Sequence, residues 1–192
     1  EWAAQKSIAM EYHPRIWKPS LLVPVEYPED FARVSRFVGS LLYPAGRLYI
    51  LSLTDVPPTD IRLIAHYDEV LKPILDKKIF MRKTIVHTPA VPFEAGIYPL
   101  TQVLLNSFLP PNTILFTLSG DAAKQAQLER IYQMVRPLRT GLLFLSIHPK
   151  FGFGQERRVN LWLRDKSPNM NLAVLAALQL SRNWEAKLTI LR

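Results

Sequence analysis

Short β-type apolar runs alternating with helix-length amphipathic stretches leave this chain few possible architectures. Leu21 to Val25, Leu48 to Leu53, Lys83 to His87 and Thr113 to Leu118 are each followed by a segment long enough for a helix. Strands joined in this way pair in parallel, because a parallel crossover needs a dozen or more residues, usually wound into a helix. The reading is an α/β fold, a mostly parallel sheet flanked by helices, with four βα units over residues 20–139. In such a sheet a ligand binds beyond the C-terminal ends of the strands.

Local signals place the helices. Tyr27-Pro28-Glu29-Asp30 opens one with Phe31, Val34, Val38 and Leu41 on a single face, its carboxylates at the positive end, and Pro44-Ala45-Gly46 stops it. Val56 to Asp60 breaks the chain before a helix with Ile61, Ile64, Leu71 and Leu75 predicted inward, and Pro73 predicts a kink or an early stop. Pro89 and Pro92 end the third strand, and the next helix is expected to start near Pro99 with Leu100, Leu104 and Phe108 inward. Leu128, Ile131, Tyr132 and Val135 fall at i, i+3, i+4 and i+7 of another.

After Arg139 the pattern changes. Gly141 to Ile147 and Val159 to Leu163 are strand candidates separated by Pro149 and Phe151-Gly152-Phe153-Gly154, which leaves no room for a helix and predicts an antiparallel hairpin. A leucine-rich helix, Asn171 to Arg182, and a closing strand, Lys187 to Leu191, follow. Residues 140–192 therefore continue the sheet or start a second subdomain. Residues 1–19, with Trp2, His13 and Trp17, read as a lead-in segment. From the start at Glu1 without methionine a piece of a longer chain is expected, with more sheet beyond Arg192.

Composition excludes several classes. The longest uninterrupted apolar stretch, Leu172 to Leu178, is far short of the roughly 20 residues that cross a bilayer. There is no cysteine, which removes disulfides, thiol nucleophiles and thiolate metal sites. The net charge of +8 is uneven: residues 121–192 hold twelve basic and five acidic side chains, whereas the preceding two thirds are nearly balanced. A one-sided basic surface faces an acidic partner, nucleic acid or anionic lipid, or is simply a solvated face.

Chemistry-bearing motifs are few. Neither GxGxxG nor GxxxxGK[ST] occurs, and the loop after the first strand, Glu26 to Asp30, puts carboxylates where a mononucleotide binder needs amides. Ser119-Gly120-Asp121 combines a hydroxyl, a glycine and a helix start, the pattern of a phosphate contact or, more simply, of an ordinary helix cap. His13, His66, His87 and His148 are too scattered for a metal pair. His87 ends a strand where a base could sit, yet no serine or cysteine elbow accompanies it. Glu29 and Asp30 fit helix-dipole complementarity better than acid–base work. Phe151 to Gly154 with Arg157-Arg158 mixes aromatics and cations but lacks a nucleic-acid motif, so no nucleic-acid partner is assigned. The helix Leu172 to Leu180 is apolar nearly all round, which predicts cover on both sides, one of them from the sheet and the other from a second subdomain or a second copy of the chain. No catalytic, cofactor-binding or metal-ligating residue is assigned.

Three stretches in order resemble the cytoplasmic C-terminal region of cation-chloride cotransporters. They are Ile16-Trp17-Lys18-Pro19-Ser20-Leu21-Leu22-Val23, then Pro111-Asn112-Thr113-Ile114-Leu115, and finally Asn160-Leu161-Trp162-Leu163-Arg164-Asp165 with the leucine-rich helix, Trp184 and the strand Lys187 to Arg192. The resemblance points to a prokaryotic member or an amino-acid-permease-like relative. It implies a domain akin to universal stress proteins on the cytoplasmic side of the cell membrane. Such a domain would partner its own transmembrane domain, dimerise, and regulate symport of chloride with sodium or potassium without catalysis or cofactor. The basic C-terminal third could also meet anionic headgroups. The alternative is a stand-alone nucleotide-binding protein of the universal-stress type.

Overall fold

The computed structural model describes residues 18–164 and 169–191. Five parallel strands, β1 (Ser20–Val25), β2 (Arg47–Thr54), β3 (Phe80–His87), β4 (Thr113–Thr117) and β5 (Gly141–Leu145), form one sheet in the order β3-β2-β1-β4-β5. Helices α1 (Pro28–Leu42), α2 (Ile61–Leu75), α3 (Phe93–Leu105) and α4 (Ala122–Val135) make the crossovers. Alternation along β1 sorts the core into two layers. Leu21, Val23 and Val25 pack with Phe31, Val34 and Val38 of α1 and with Tyr67, Leu71 and Ile74 of α2. Leu22 turns to the other face, towards Ile97 and Leu104 of α3 and Ile131 and Val135 of α4.

Pro28 opens α1, where its missing N–H costs nothing, and Asp30 Oδ2 accepts a hydrogen bond from Tyr27 N at 3.3 Å. In α2 the buried stripe is Tyr67, Leu71 and Ile74, not the predicted one. Leu71 is common to both, but Ile61 is 81% exposed, and Ile64 and Leu75 face solvent as well. The two isoleucines that misled the periodicity lie in the first turn of α2, outside its buried stripe. Pro73 lies inside α2, which ends two residues later. Helix α3 begins at Phe93, six residues before the expected start near Pro99, with Pro92 as its N-cap. Phe108 lies beyond the end of α3 and is 78% exposed.

The expected hairpin does not form. β5 extends the five-stranded sheet by pairing in parallel with β4, residue for residue from Thr113↔Gly141 to Thr117↔Leu145. β6 (Arg158–Trp162) pairs in parallel with β7 (Lys187–Leu191) as a separate two-stranded sheet, crossed by α5 (Met170–Asn183). The segment between β5 and β6 makes only an isolated antiparallel bridge, His148↔Gly152. Proximity in sequence lost to a better offer: β4 presented an unpaired edge to β5, and α5 supplied the crossover that a parallel β6–β7 pair requires.

Helix α5 joins the two sheets by packing on α1. Asn183 Nδ2 donates to the carbonyls of Ser40 (2.5 Å) and Tyr43 (2.7 Å), capping the C-terminus of α1, and Gln179 also donates to Tyr43. Arg36 forms a bidentate pair with Glu156 at 2.7 and 2.9 Å. Phe37, Phe153 and Trp184 make a three-ring cluster with centroids 5.8 to 6.4 Å apart. The opposite side of α5 is bare at Leu175 and Leu178, so among the described residues only one of the two predicted covers is present.

Candidate functional site

The strand order reverses direction between β1 and β4, and the crevice outside the C-terminal ends of the strands there is where open α/β sheets bind ligands. A cleft of about 1390 Å³ lies at this point, lined among others by Val25, Asp30, Phe116, Tyr132, Phe144 and His148. Phe116 stacks on Phe144 at 5.9 Å, and Tyr132 meets Phe144 edge-on at 6.0 Å, giving it an aromatic wall.

The helix starts along this rim are occupied by carboxylates. Each of the four helices that start here has its own carboxylate in place. In α1 it is Asp30, bonded to Tyr27 N, with Glu29 beside it. Asp60 Oδ1 accepts from Arg62 N (2.7 Å) and Leu63 N (3.2 Å) at the start of α2. Glu94 occupies the first turn of α3 and is held by Arg130 through two bonds of 2.9 and 3.0 Å. Asp121 Oδ1 accepts from Ala123 N (2.7 Å) and Lys124 N (3.1 Å) at the start of α4. An anion arriving at the starts of α1, α2 or α4 would meet negative charge in place of a free positive end. The Tyr27 phenol registers the same field, since the charge of Glu26, then burial, then Asp55 and Asp30, hold it above its usual range.

Ser119-Gly120-Asp121 is thus a helix cap, with Ser119 Oγ accepting from Asp121 N at 3.1 Å. The histidines remain apart. His66 Nδ1 lies 3.4 Å from Glu29, His87 Nε2 lies 3.0 Å from the Asp55 carbonyl, and His148 Nδ1 accepts from Lys150 N and Phe151 N at 3.2 and 3.1 Å. His13 lies outside the described residues. Among the described residues no group of three His, Cys, Asp or Glu side chains could hold a metal ion. The Phe151–Phe153 pair divides, since Phe153 enters the cluster with Phe37 and Trp184 while Phe151 stays exposed against His148. The basic residues of the last third are spread over several elements. Arg130 pairs with Glu94, Arg136 and Arg139 precede β5, Arg157, Arg158 and Lys187 lie at the starts of β6 and β7, and Arg182 ends α5.

Two constellations escaped sequence reasoning. Asn112 Oδ1 accepts from Ser20 N at 3.0 Å, and its Nδ2 donates to the Lys18 carbonyl at 3.0 Å, so it staples the start of β4 to the start of β1. That gives the Pro-Asn-Thr stretch a structural reason. Tyr67 donates to Ser52 Oγ at 2.6 Å in the core, and burial pushes its phenol up to about 12. Both are contacts between elements, without local signature.

The comparisons agree with this geometry. The family model described as prokaryotic cation-chloride cotransporter, C-terminal domain, first, matches residues 23–153. A crystal structure of the cytoplasmic domain of a prokaryotic cation chloride cotransporter is 28% identical, superimposes with a TM-score of 0.75 and covers 91% of this chain, which spans 66% of that structure's length. A UDP-N-acetylglucosamine 2-epimerase structure, 10% identical over 86% of this chain and 40% of its own, reaches a TM-score of 0.44 and carries no argument. No curated protein matches. Among the described residues no helix is long and apolar enough to cross a membrane. With a family model covering more than half of its length, the chain belongs to the C-terminal domains of prokaryotic cation-chloride cotransporters.

Proposed function

We propose that this chain is the cytoplasmic regulatory and assembly domain of a membrane transporter that moves chloride together with sodium or potassium, and that it performs no catalysis of its own. The family match over residues 23–153 carries the reading, and the similar solved structure is itself a cytoplasmic domain. The filled helix N-termini support it, because they deprive the sheet of the phosphate-binding amides that a nucleotide-dependent protein of this architecture would use.

A domain without chemistry acts through contacts. To bias transport it must touch its own transmembrane domain differently in the inward- and outward-facing states, since only a difference in interaction free energy shifts a population. Homodimerisation would couple two such domains. Its surface is sought on the bare side of α5, Leu175 and Leu178, and on Trp162, which is 74% exposed on the two-stranded sheet. A stable interface should bury roughly 1,200 Å² or more.

The test is the intact protein reconstituted in vesicles, with chloride-dependent uptake of radioactive rubidium or sodium measured with and without this domain. Uptake that is present and changes on removal of the domain is expected. A native gene without apolar spans of about 20 residues before this domain would overturn the reading.

A further inference from the structure

The two rims of the five-stranded sheet differ in charge over β1 to β4. The four connections leaving the C-terminal ends of these strands, residues 26–30, 55–60, 88–94 and 118–121, contain seven carboxylates and no lysine or arginine, while the segment leaving β5, residues 146–157, carries Lys150 and Arg157 against Glu156. The five segments that lead into the strands, residues 18–19, 43–47, 75–80, 106–112 and 136–141, contain six cations, Lys18, Arg47, Lys77, Lys78, Arg136 and Arg139, against one carboxylate, Asp76. None of these six pairs with a carboxylate among the described residues.

Helix dipoles account for the acidic rim and for part of the basic one. Arg136 is the C-cap of α4, and Lys77 and Lys78 follow the end of α2, whose last turn carries Lys72, whereas Lys18, Arg47 and Arg139 lie away from any α-helix C-terminus. Apolar side chains stand among them. Tyr43, Leu75, Phe80 and Phe108, in or flanking the connections into strands, are exposed, Phe80 by 51%. Register brings these segments level, since Ser20, Arg47 and Phe80 lie in one row across β1, β2 and β3. Hydrogen bonds tie the row together, from Arg47 N to the Pro19 carbonyl (2.8 Å), from Asn112 N to Ser20 (2.9 Å) and from Gly141 N to Asn112 (3.0 Å). The chain preceding β1 also reaches the sheet at this rim, at Lys18 and Pro19.

We propose that this N-terminal rim lies against the anionic headgroups of the membrane. Unpaired cations interspersed with exposed aromatic and aliphatic side chains are the chemistry that anionic interfaces attract, and the acidic rim then faces away. The proposal rests on the reading that the domain belongs to a membrane transporter. It relocates the lipid contact from the basic C-terminal third to a row drawn from the whole length of the sheet.

Vesicles of phosphatidylcholine with about a third phosphatidylglycerol, mixed with the 192-residue chain, test it by flotation at low and high salt. Each surface cation contributes about fivefold to partitioning. The quadruple variant Lys77→Gln, Lys78→Gln, Arg136→Gln, Arg139→Gln should therefore bind at least tenfold more weakly than the control Arg157→Gln, Arg158→Gln, Arg182→Gln, Lys187→Gln. Phe108→Ser should weaken binding further without changing the urea midpoint. Equal losses in the two quadruple variants would overturn the proposal, as would binding indifferent to phosphatidylglycerol or to salt. So would cross-linking of Phe108→Cys in the intact transporter to its own transmembrane part, equally efficient in neutral and anionic nanodiscs, because the rim would then face protein. Vesicle binding by a protein whose gene encodes no upstream spans would leave this inference standing while the transporter reading fell.

Discussion

Tyr67 on α2 donates a hydrogen bond from its phenol to Ser52 Oγ on β2 at 2.6 Å, and neither residue has any solvent exposure. The bond anchors α2 to the sheet from within an otherwise apolar layer, and it leaves a titratable group in the core. Tyr67→Phe removes the donor and strands the serine oxygen, which should cost about 1–3 kcal/mol in urea unfolding. Tyr67→Phe with Ser52→Ala should recover part of that loss.

The same phenol predicts an alkaline limit. With burial holding it near 12 in the folded chain against 10 unfolded, the unfolded state binds fewer protons between these values. Stability is therefore complete below pH 10 and falls as pH rises from 10 towards 12, by roughly 2–3 kcal/mol from this residue. Urea midpoints between pH 9 and 11.5 should drop more steeply for the natural chain than for Tyr67→Phe.

Asn112 bonds Ser20 N and the Lys18 carbonyl across ninety residues of sequence. Asn112→Ala should destabilise the chain by about 1–3 kcal/mol. Asn112→Asp, which keeps the acceptor and loses the donor, should fall in between.

Glycines separate rigid from yielding surroundings. A Cβ on Gly46 would sit 2.6 Å from the Leu42 carbonyl oxygen and 2.7 Å from Leu42 Cα, both backbone atoms. On Gly96 it would meet only the tip of Leu53 at 2.6 Å, and on Gly120 nothing within 4 Å. Alanine should then cost most at Gly46, about 2–3 kcal/mol or more, less at Gly96, and almost nothing at Gly120. Thermal unfolding of the three variants checks the ranking.

The joint between the sheets is held by Asn183, the Arg36–Glu156 pair and the Phe37–Phe153–Trp184 cluster. Phe37→Ala should loosen β6-α5-β7 ahead of the rest. Hydrogen exchange is expected to speed up by tenfold or more in α5, about 1.4 kcal/mol of local stability, while β1 and β2 keep their protection.

Much of the fold was legible in the chain itself, for reasons visible at particular positions. The unbroken apolar run from Leu21 to Val25 determined a strand buried on both faces, Pro28-Glu29-Asp30 determined a helix start, and Pro89 with Pro92 determined a strand end. Each is a local preference of the backbone, satisfied whatever the neighbours do. The carboxylates after β1 were legible as helix-start residues, and Asp30 and Asp121 do bond the backbone at the starts of their helices. The partners of β5 and β6 were not legible, because a strand carries the same unpaired N–H and C=O groups on either edge and the choice between edges depends on which other surfaces reach it. Gly141 to Leu145 took the open side of β4, and Val159 found Leu188 across a helical crossover. Nor could the sequence show that Lys77, Lys78, Arg136 and Arg139 share one rim, since only the register of five strands brings residues sixty positions apart to a common level. The elements were thus decided by local energetics, and their neighbours, the charge of each rim and the bare side of α5 by the competition among long-range contacts.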